Sequence, residues 1–276
     1  MGMKIKVIVN ADDFGMSETV NEAIAEGFSN GIINSTSIMA NMPAFDDAVG
    51  KLSCLEGIGL AVHLNIIEGK ALTHCPSLCD NDGNFNLSFT QILRKSLSKD
   101  FLKEVENEFR MQIEKVLKYA TPYNLDSHVH VHSIPPIFNI VCKLAKEYKI
   151  PFVRTQFENI YITPGHKENF TKKHFINFAK VFILNTFTLI NKPRLKKYGL
   201  KTNDCVLGVG YTGMMNEQTI DFGLKSHEKK TCVIEIICHP DKDKNRMSNY
   251  TEYQAVLSRK LKNMIFYYKP TVYAKL

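Results

Sequence analysis

Strand-like apolar runs alternate with segments of helical periodicity along this chain, and that alternation limits its fold most strongly. The runs lie at residues 5–9, 32–39, 57–64, 150–155, 206–211 and 232–238. Apolar residues at helical spacing fill intervals such as 18–30 and 88–119. Strands that alternate with helices predict a parallel sheet with helices packed on it. We therefore predict an α/β fold in which residues 1–276 form one domain, a (β/α) barrel or a distorted relative.

Residues able to bind a metal ion collect near the ends of these runs and in the segment 126–132. They are Asp12, Asp13, His63, Asp126, His128, His130, His132 and His239. The carboxyl ends of parallel strands meet at one face of such a fold, and that face carries the active site. One aspartate and two histidines around a divalent ion leave positions open for water and substrate, which is the composition of a hydrolytic metal site.

The acidic pair Asp12 and Asp13 follows the first run and leads into Phe14 and Gly15. If the backbone there is extended, the two side chains point in different directions, so one can bind metal while the other acts as a base. The alternative is that one of them caps the helix predicted after Ser17. Because the pair precedes a His-x-His-x-His run, we favour the metal site.

In the run from Asp126 to His132, an acidic or imidazole group recurs at every second residue. A continuing strand would place Asp126, His128, His130 and His132 on one face, yet a straight strand cannot bring them all to one ion. We expect His128 to bind metal where the strand ends. His130 and His132 would then lie in the loop beyond, where they contact substrate or support the ligands. A chance cluster on a solvated loop is the alternative.

Three further residues are candidates with a structural alternative each. His63 stands at a strand end, which favours a ligand over a core histidine. His239 precedes Pro240 after the last strong strand, and it is placed to protonate a leaving group or simply to cap the strand. Arg154 could orient a carboxylate or form a surface salt bridge. The remaining histidines (His74, His166, His174 and His227) are predicted to lie on the surface.

Two segments are harder to assign. Residues 65–87 are predicted to form a long loop over one face, either a lid or an insertion. The region 157–203 contains an apolar helix around 175–189, which we expect to pack in the core. In the alternative, a partner subunit meets the side chains Phe182, Ile183, Leu184, Phe187 and Leu189.

Composition excludes several classes of protein. The formal charge of +7 is spread over many lysines, without the aromatic interleaving of a nucleic-acid site, so we expect no nucleic-acid partner. No run of eighteen apolar residues predicts a membrane span, and the first residues lack the pattern of a secretory signal. The seven cysteines are odd in number and have no repeated Cys-x-x-Cys spacing, which favours a reducing cytoplasm.

At these motifs the chain resembles the YdjC-type family of carbohydrate deacetylases, which includes the chitooligosaccharide deacetylases. The similar segments are residues 10–17, 31–36, 62–65, 126–132 and 238–240. The resemblance spans residues 5–241, nearly the whole chain, and the first and fourth of these segments are specific. Val129 is a departure, because some relatives carry another histidine there, and this bears on substrate contacts near His128.

The resemblance implies a divalent-metal hydrolase that removes acetyl groups from N-acetylated sugars of the N-acetylglucosamine or chitooligosaccharide type. It implies a distorted β/α barrel related to the polysaccharide deacetylases, and a homodimer. It also implies Asp13, His63 and His128 as metal ligands, Asp12 as the base and His239 as the acid. The donor set suits Mg or Zn first, and Mn, Co and Ni to differing degrees.

Two other functions compete with this one. A metal-dependent hydrolase of another amide or of a phosphoester could use the same aspartates and histidines, with His130 and His132 serving a phosphate. A sugar-binding protein on a retired enzyme scaffold ranks last, because every proposed catalytic residue is present.

Overall fold

An eight-stranded parallel sheet forms the centre of the computed structural model, which describes residues 5–164, 171–227 and 232–276. The strands are β1 (Lys6–Phe14), β2 (Ser35–Ile38), β3 (Gly59–Leu64), β4 (Asn124–Ser127), β5 (Phe152–Val153), β6 (Cys205–Leu207), β7 (Val233–Cys238) and β8 (Lys269–Pro270). Their order is β5-β4-β3-β2-β1-β7-β6, and β8 pairs with the start of β1. The carboxyl ends of β1, β3, β4 and β7 therefore share one edge.

The sheet curves into a half-barrel. A main-chain hydrogen bond joins each outermost strand to a segment next to the other, from Val153 N–H in β5 to Lys201 O at 3.1 Å and from Val206 N–H in β6 to Phe157 O at 2.8 Å. The predicted α/β class and distorted barrel are confirmed. The strands β5 and β6 are shorter than the predicted runs at 150–155 and 206–211.

Helices cover the sheet. They are α1 (Glu18–Ser29), α2 (Phe45–Leu52), α3 (Phe89–Lys95), α4 (Lys99–Leu117), α5 (Pro135–Glu147), α6 (Lys172–Tyr198), α7 (Glu217–Lys225), α8 (Met247–Val256) and α9 (Arg259–Tyr267). Ser17 caps α1 by accepting a hydrogen bond from Val20 N–H at 3.2 Å. The predicted helix start is therefore confirmed, and neither aspartate of the acidic pair serves as that cap.

The segment 65–87 is a loop, as predicted, and α4 holds it in place. Two isolated bridges, Lys70 with Asn84 and Cys79 with Phe85, fold the loop back on itself. The buried carboxylate of Glu108 accepts hydrogen bonds from the backbone N–H groups of Leu72 and Thr73. Because a buried carboxylate needs such donors, this anchor fixes the loop against the barrel.

The prediction that the apolar helix around 175–189 packs in the core is wrong for the outer face of that helix. In α6 the side chains of Phe175, Phe182 and Leu189 are exposed by 63%, 73% and 60%. The buried face of α6 instead carries several polar residues, including His174, Asn177, Thr188 and Asn191. Among the described helices, none has the length and apolar character needed to cross a bilayer.

Two of the remaining histidines are also buried rather than exposed. His227 is 1% exposed and His174 is 7% exposed, whereas His74 lies on the surface as predicted. A histidine can be buried when neighbouring groups form hydrogen bonds with its ring nitrogens. The side chain of His227 contacts Asn159 and the carbonyl of Gly223. His166 lies outside the described residues.

Candidate metal centre

His63 and Asp126 lie side by side at the ends of β3 and β4. The strands pair in parallel with His63 opposite Asp126, and the His63 Nδ1 atom is 2.7 Å from Asp126 Oδ1. A carboxylate can only accept a hydrogen bond, so Nδ1 carries a proton, and Nε2 is the nitrogen that could bind an ion on the open side of the site. A carboxylate that orients a histidine in this way is typical of metal ligands.

Asp13 turns toward His63 because the end of β1 leaves the extended conformation. Its φ of 70° lies in the left-handed region, and the pairing of β1 with β2 shifts register between Ala11 and Phe14. The expectation of an extended backbone is therefore wrong here. Asp13 Oδ1 lies 3.3 Å from His63 Nε2, and Asp12 Oδ2 lies 3.9 Å from the same nitrogen. Both carboxylates therefore lie close to the His63 Nε2 atom.

Gly15 makes this turn possible. Its φ is 100°, which L side chains rarely adopt, and an added Cβ would lie 3.0 Å from the carbonyl oxygen of Met39. Its N–H donates a hydrogen bond of 2.6 Å to the buried side chain of Asn21 in α1. The glycine after the acidic pair therefore fixes the direction in which β1 delivers its carboxylates.

His128 enters the site from a tight turn after β4. The next two residues, Val129 and His130, have φ values of 50° and 58°. A left-handed conformation is strained for a β-branched residue such as valine, and such strain is concentrated at functional sites. The turn brings His128 Nδ1 to 2.9 Å from Asp13 Oδ1. The chain therefore departs from strand geometry where a straight strand could not have supplied a ligand.

Asp13, His63 and His128 form a group that could hold a metal ion, with one donor atom from each residue and all three within 4.8 Å of one another. The site is short of positive charge. Burial alone would lower the pKa of both imidazoles, yet the surrounding carboxylates raise the pKa of His63 to about 10 and that of His128 to about 9. A divalent cation would supply the charge that these ring protons supply here, so the donor set fits such an ion.

A second possible group, formed by Asp12, His63 and Asp126, fits less well. Its two carboxylates are already held by the buried guanidinium of Arg154. The Arg154 Nη2 atom lies 2.9 Å from Asp12 Oδ1 and 2.8 Å from Asp126 Oδ2. An ion at that point would lie beside the positive charge of this guanidinium, so the first group suits a cation better.

Arg154 is fully buried beside the Asp and His residues of the site and forms ion pairs with their carboxylates. Besides Asp12 and Asp126, its guanidinium binds Glu235 in β7 through Nε and Nη2, at 3.0 and 2.7 Å. The surface salt bridge considered for Arg154 is excluded, and its role is to hold carboxylates. A buried cation with several carboxylate partners resists the loss of any one partner better than a single pair does.

Asp12 stays ionised in this setting. Burial would raise the pKa of its carboxyl group, but Arg154, His63 and His239 hold the pKa well below its usual range. Arg154 donates to both oxygens, from Nη1 to Oδ2 and from Nη2 to Oδ1, each at 2.9 Å. Each carboxylate oxygen has two lone pairs, so Oδ2 can still accept a proton or hydrogen bond from the direction of His63.

His239 lies on the other side of Asp12, at the end of β7. Its Nε2 atom is 4.0 Å from Asp12 Oδ2, and its Nδ1 atom is 3.5 Å from Glu252 Oε2 in α8. Burial would lower the pKa of His239, but Glu252, Asp13 and Asp12 together raise it to about 8. Asn249 donates a hydrogen bond to the His239 carbonyl at 2.8 Å. His239 is therefore held as a protonated group at neutral pH.

A pocket of about 340 Å³ opens over these residues. Asp12, His63, His128 and His239 form its floor, and residues from α6 and α8 form its walls. His130 also lines the pocket, and burial lowers the pKa of its ring well below the usual range. Within the described residues its Nδ1 atom has no hydrogen-bond partner.

His132 and Asp126 lie outside the pocket. The His132 ring is fully buried between Ser127 Oγ, 2.5 Å from Nδ1, and the carbonyl oxygen of Arg154, 3.1 Å from Nε2. It therefore ties the turn after β4 to β5. Asp126 contacts His63, Arg154 and Ser37. Of the substrate-or-support candidates, His130 is thus the one that faces the open space.

Three acidic residues of the site were not among the predicted residues. Glu235 had a signal in the sequence, because it interrupts the apolar run of β7, and a charge in a buried strand needs a partner. Glu68, whose Oε2 atom is 3.7 Å from His128 Nε2, lies in the long loop without any distinguishing pattern. Glu252 lies on α8 in a similarly ordinary context.

Comparison with known proteins gives one family. A family model described as YdjC-like protein matches residues 6–266. Three curated relatives are each named carbohydrate deacetylase. The protein of Clostridium beijerinckii is 37% identical over 174 residues, which cover 60% of this chain and 69% of the relative. Identity is 40% with the protein of Halalkalibacterium halodurans, covering 56% and 65%, and 33% with that of Geobacillus stearothermophilus, covering 62% and 71%.

Two solved structures share the fold. A protein of Enterococcus faecalis, provisionally described as a cellobiose-phosphate cleavage protein, aligns with a TM-score of 0.76 at 24% identity. That alignment covers 99% of this chain and 98% of the other. An uncharacterized protein of Agrobacterium tumefaciens aligns with a TM-score of 0.54 at 9% identity, covering 100% and 89%. At these identities the likeness concerns the fold alone.

Proposed function

The chain belongs to the YdjC-like protein family, and on that premise we propose that it is a divalent-metal-dependent hydrolase that removes acetyl groups from N-acetylated sugars. The observation that carries the proposal is the group Asp13, His63 and His128 at the strand ends, of which His63 and His128 line a pocket. The relatives named carbohydrate deacetylase support the reaction and the sugar class. N-acetylglucosamine and its oligosaccharides are the substrates we propose.

Asp13, His63 and His128 would hold the ion, and Asp126 would keep the His63 ring in the tautomer that presents Nε2. A divalent cation at such a site polarises a bound carbonyl group and lowers the pKa of water. We propose Mg or Zn, because an aspartate with two imidazoles accepts either.

Asp12 is the proposed base. Its Oδ2 atom lies within 4.0 Å of both His63 Nε2 and His239 Nε2, and we propose that the attacking water binds there. The interaction with Arg154 keeps Asp12 ionised and fixes the plane of its carboxylate. In this role Asp12 takes a proton from the water that attacks the acetamide carbonyl carbon.

His239 is the proposed acid. Breaking the amide bond leaves a sugar amine, which needs a proton as it departs. Because Glu252 keeps His239 protonated near neutral pH, the imidazolium can supply that proton from Nε2. The proposed base thus comes from β1 and the proposed acid from the residue that follows β7, with 4.0 Å between Asp12 Oδ2 and His239 Nε2.

The polar walls of the pocket suit a sugar. Ser248 and Asn249 from α8, Thr212, and the neutral ring of His130 offer donors and acceptors for hydroxyl groups. The lysines Lys173 and Lys180 also line the pocket, and they are the observation that would favour a phosphoester substrate instead.

Product analysis separates these functions. Metal-loaded protein is incubated with N-acetylglucosamine, chitooligosaccharides and matched phosphomonoesters, and acetate, free amine and phosphate are measured. Release of acetate with an equal amount of free amine supports the proposal. Release of phosphate alone would replace it with a phosphoesterase, and tight glycan binding without any product would indicate a sugar-binding protein.

We also propose a single domain over residues 1–276, a homodimer and a cytoplasmic location. The first rests on the match of one family model to residues 6–266, the second on the family resemblance, and the third on the cysteine pattern. Neither a nucleic-acid partner nor a membrane partner is proposed.

A further inference from the structure

The two histidines of the candidate metal centre have carboxylates placed around them in matching ways. In His63, Nε2 faces Asp13, and the opposite nitrogen, Nδ1, contacts the carboxylate of Asp126. In His128 the two nitrogens are exchanged. Its Nδ1 atom lies 2.9 Å from Asp13 Oδ1, and the opposite nitrogen, Nε2, lies 3.7 Å from Glu68 Oε2. Each imidazole therefore has Asp13 at one nitrogen and a further carboxylate at the other.

This arrangement determines which nitrogen of His128 can keep a proton. A neutral imidazole carries one N–H group, and a nitrogen that binds a cation must lose its proton. If Nδ1 binds the ion beside Asp13, the remaining N–H is on Nε2, which faces Glu68. A carboxylate that accepts this hydrogen bond fixes the tautomer and the orientation of the ring. The 3.7 Å separation is about half an ångström longer than a hydrogen bond, a distance that a half-exposed side chain can cover by rotating.

The backbone of Glu68 is held in place, although its side chain is half exposed. The buried side chain of Asn65 donates to the Glu68 carbonyl at 2.7 Å and accepts from the Glu68 N–H at 3.3 Å. Asn41 donates to the same carbonyl at 3.1 Å. Gly69 follows with a φ of 77°, and an added Cβ there would lie 2.8 Å from Met42 Sδ. The long loop therefore presents this carboxylate from a fixed position.

Helix α4 connects this turn with the rest of the long loop. The buried side chain of Gln112 accepts a hydrogen bond from Asn65 N–H at 2.9 Å and donates one to Asn65 O at 2.7 Å. It also donates, at 2.8 Å, to Glu108, the carboxylate that holds the loop at residues 72–73. One buried hydrogen-bond network therefore holds the loop on both sides of Glu68.

We propose that Glu68 is a positioning residue for His128, and that the docked long loop thereby helps to retain the cation. The proposal deepens the function proposed above and rests on a cation at Asp13, His63 and His128. The loop is then part of the site rather than an insertion, the alternative that the sequence left open. If the docked loop raises the affinity for the cation, a bound cation must stabilise the docked loop by the same factor.

Metal affinity tests the role of Glu68. Stripped protein is titrated with Zn²⁺ in competition with a chelator, so the measurement needs no substrate. Glu68→Met keeps the length of the side chain but removes the acceptor, and it should weaken Zn²⁺ binding by about 10-fold. In Glu68→Gln the amide oxygen can still accept from Nε2, so the loss should be clearly smaller. Wild-type affinity in Glu68→Met would overturn the proposal. Equal losses in both variants would also overturn it, because they would indicate an effect of charge and not of orientation.

Glu104→Met is the matched control. Glu104 also binds the long loop from α4, where it accepts hydrogen bonds from Ser77 N–H at 2.9 Å and from Ser77 Oγ at 2.6 Å. This variant separates a general loosening of the loop from the loss of the contact with His128. We expect wild-type Zn²⁺ affinity in the control, and a loss equal to that of Glu68→Met would overturn the proposal. Circular dichroism verifies the folding of all variants.

Hydrogen exchange tests the coupling in the opposite direction. Saturating Zn²⁺ should slow the exchange of the anchored loop amides, such as those of Glu68 and Leu72, by up to the same factor of about 10. In Glu68→Met this slowing should be absent. Wild-type exchange that Zn²⁺ does not change, or equal slowing in both proteins, would contradict the proposal. Neither experiment measures acetate release. A protein that behaves as expected here but hydrolyses no N-acetylated sugar would therefore refute the function proposed above and leave the role of Glu68 supported.

Discussion

Replacing Asp126 by asparagine should weaken metal binding although Asp126 never touches the metal. Asp126 Oδ2 accepts a hydrogen bond from Ser37 Oγ at 2.6 Å and forms an ion pair with Arg154 Nη2 at 2.8 Å. Ser37 itself accepts a hydrogen bond from Asn10, so its own proton must point to Asp126. In Asp126→Asn, the amide oxygen is therefore needed on that side, and the amide nitrogen faces His63.

That exchange reverses the tautomer of His63. Its Nδ1 atom would have to accept a hydrogen bond, so the ring proton would move to Nε2, the nitrogen that faces Asp13. Loss of a carboxylate that supports a metal ligand lowers metal affinity by about 10–100-fold. Each tenfold loss corresponds to about 1.4 kcal/mol, so we expect about 1.4–2.7 kcal/mol of lost binding free energy.

The assay is a titration of metal-stripped protein with Zn²⁺ in competition with a chelator. Glu235→Gln is the matched control, because Glu235 is an equally buried carboxylate on Arg154 that makes no contact with His63. Both variants should lose stability, but only Asp126→Asn should lose metal affinity by tenfold or more. Wild-type affinity in Asp126→Asn, or an equal loss in both variants, would refute the reasoning.

Three further outcomes follow from the site. Asp12→Asn should lower kcat by about 100-fold or more while Zn²⁺ affinity stays near that of the wild type; unchanged turnover would mean that Asp12 is not the base. Glu252→Gln should move the alkaline limb of the kcat/KM profile down by about one pH unit, because the carboxylate that holds the His239 proton is gone; an unmoved limb would exclude His239 as the acid. Burial lowers the pKa of His132 to about 4, so the unfolded chain binds its proton first and stability should fall as the pH drops from about 6.5 to 4, by about 3 kcal/mol at the lower end. Urea unfolding of His132→Gln should show a shallower fall than the wild type, and parallel pH curves would contradict the assignment.

Part of the site could be predicted from the sequence because Asp12, Asp13, His63 and His239 stand at or just after apolar runs, and parallel strands bring their ends together. His63 and Asp126 are 63 residues apart in the chain, yet they stand opposite each other in neighbouring strands. The backbone conformations of the turns after β1 and β4 could not be predicted from the sequence. Positive φ values at Asp13 and Val129 are unfavourable locally, so only the surrounding fold imposes them.

The ion-pair partners of Arg154 could not be predicted from the sequence, for a different reason. Arg154 binds carboxylates that are 142 and 81 residues away in sequence. Local patterns show that a buried charge needs a partner, but they do not say which one. For α6, amphipathicity pointed to the wrong face, because this helix buries asparagines and exposes its apolar stripe.

The central claim is metal-dependent release of acetate at the Asp13, His63 and His128 group. The most direct measurement is acetate release from chitooligosaccharides by stripped protein, by protein reloaded with Mg, Zn, Co or Ni, and by His128→Ala treated identically. We predict no release without metal, recovery with at least one ion, and loss of that recovery in His128→Ala. Equal acetate release by stripped and reloaded protein, or full activity in His128→Ala, would contradict the account.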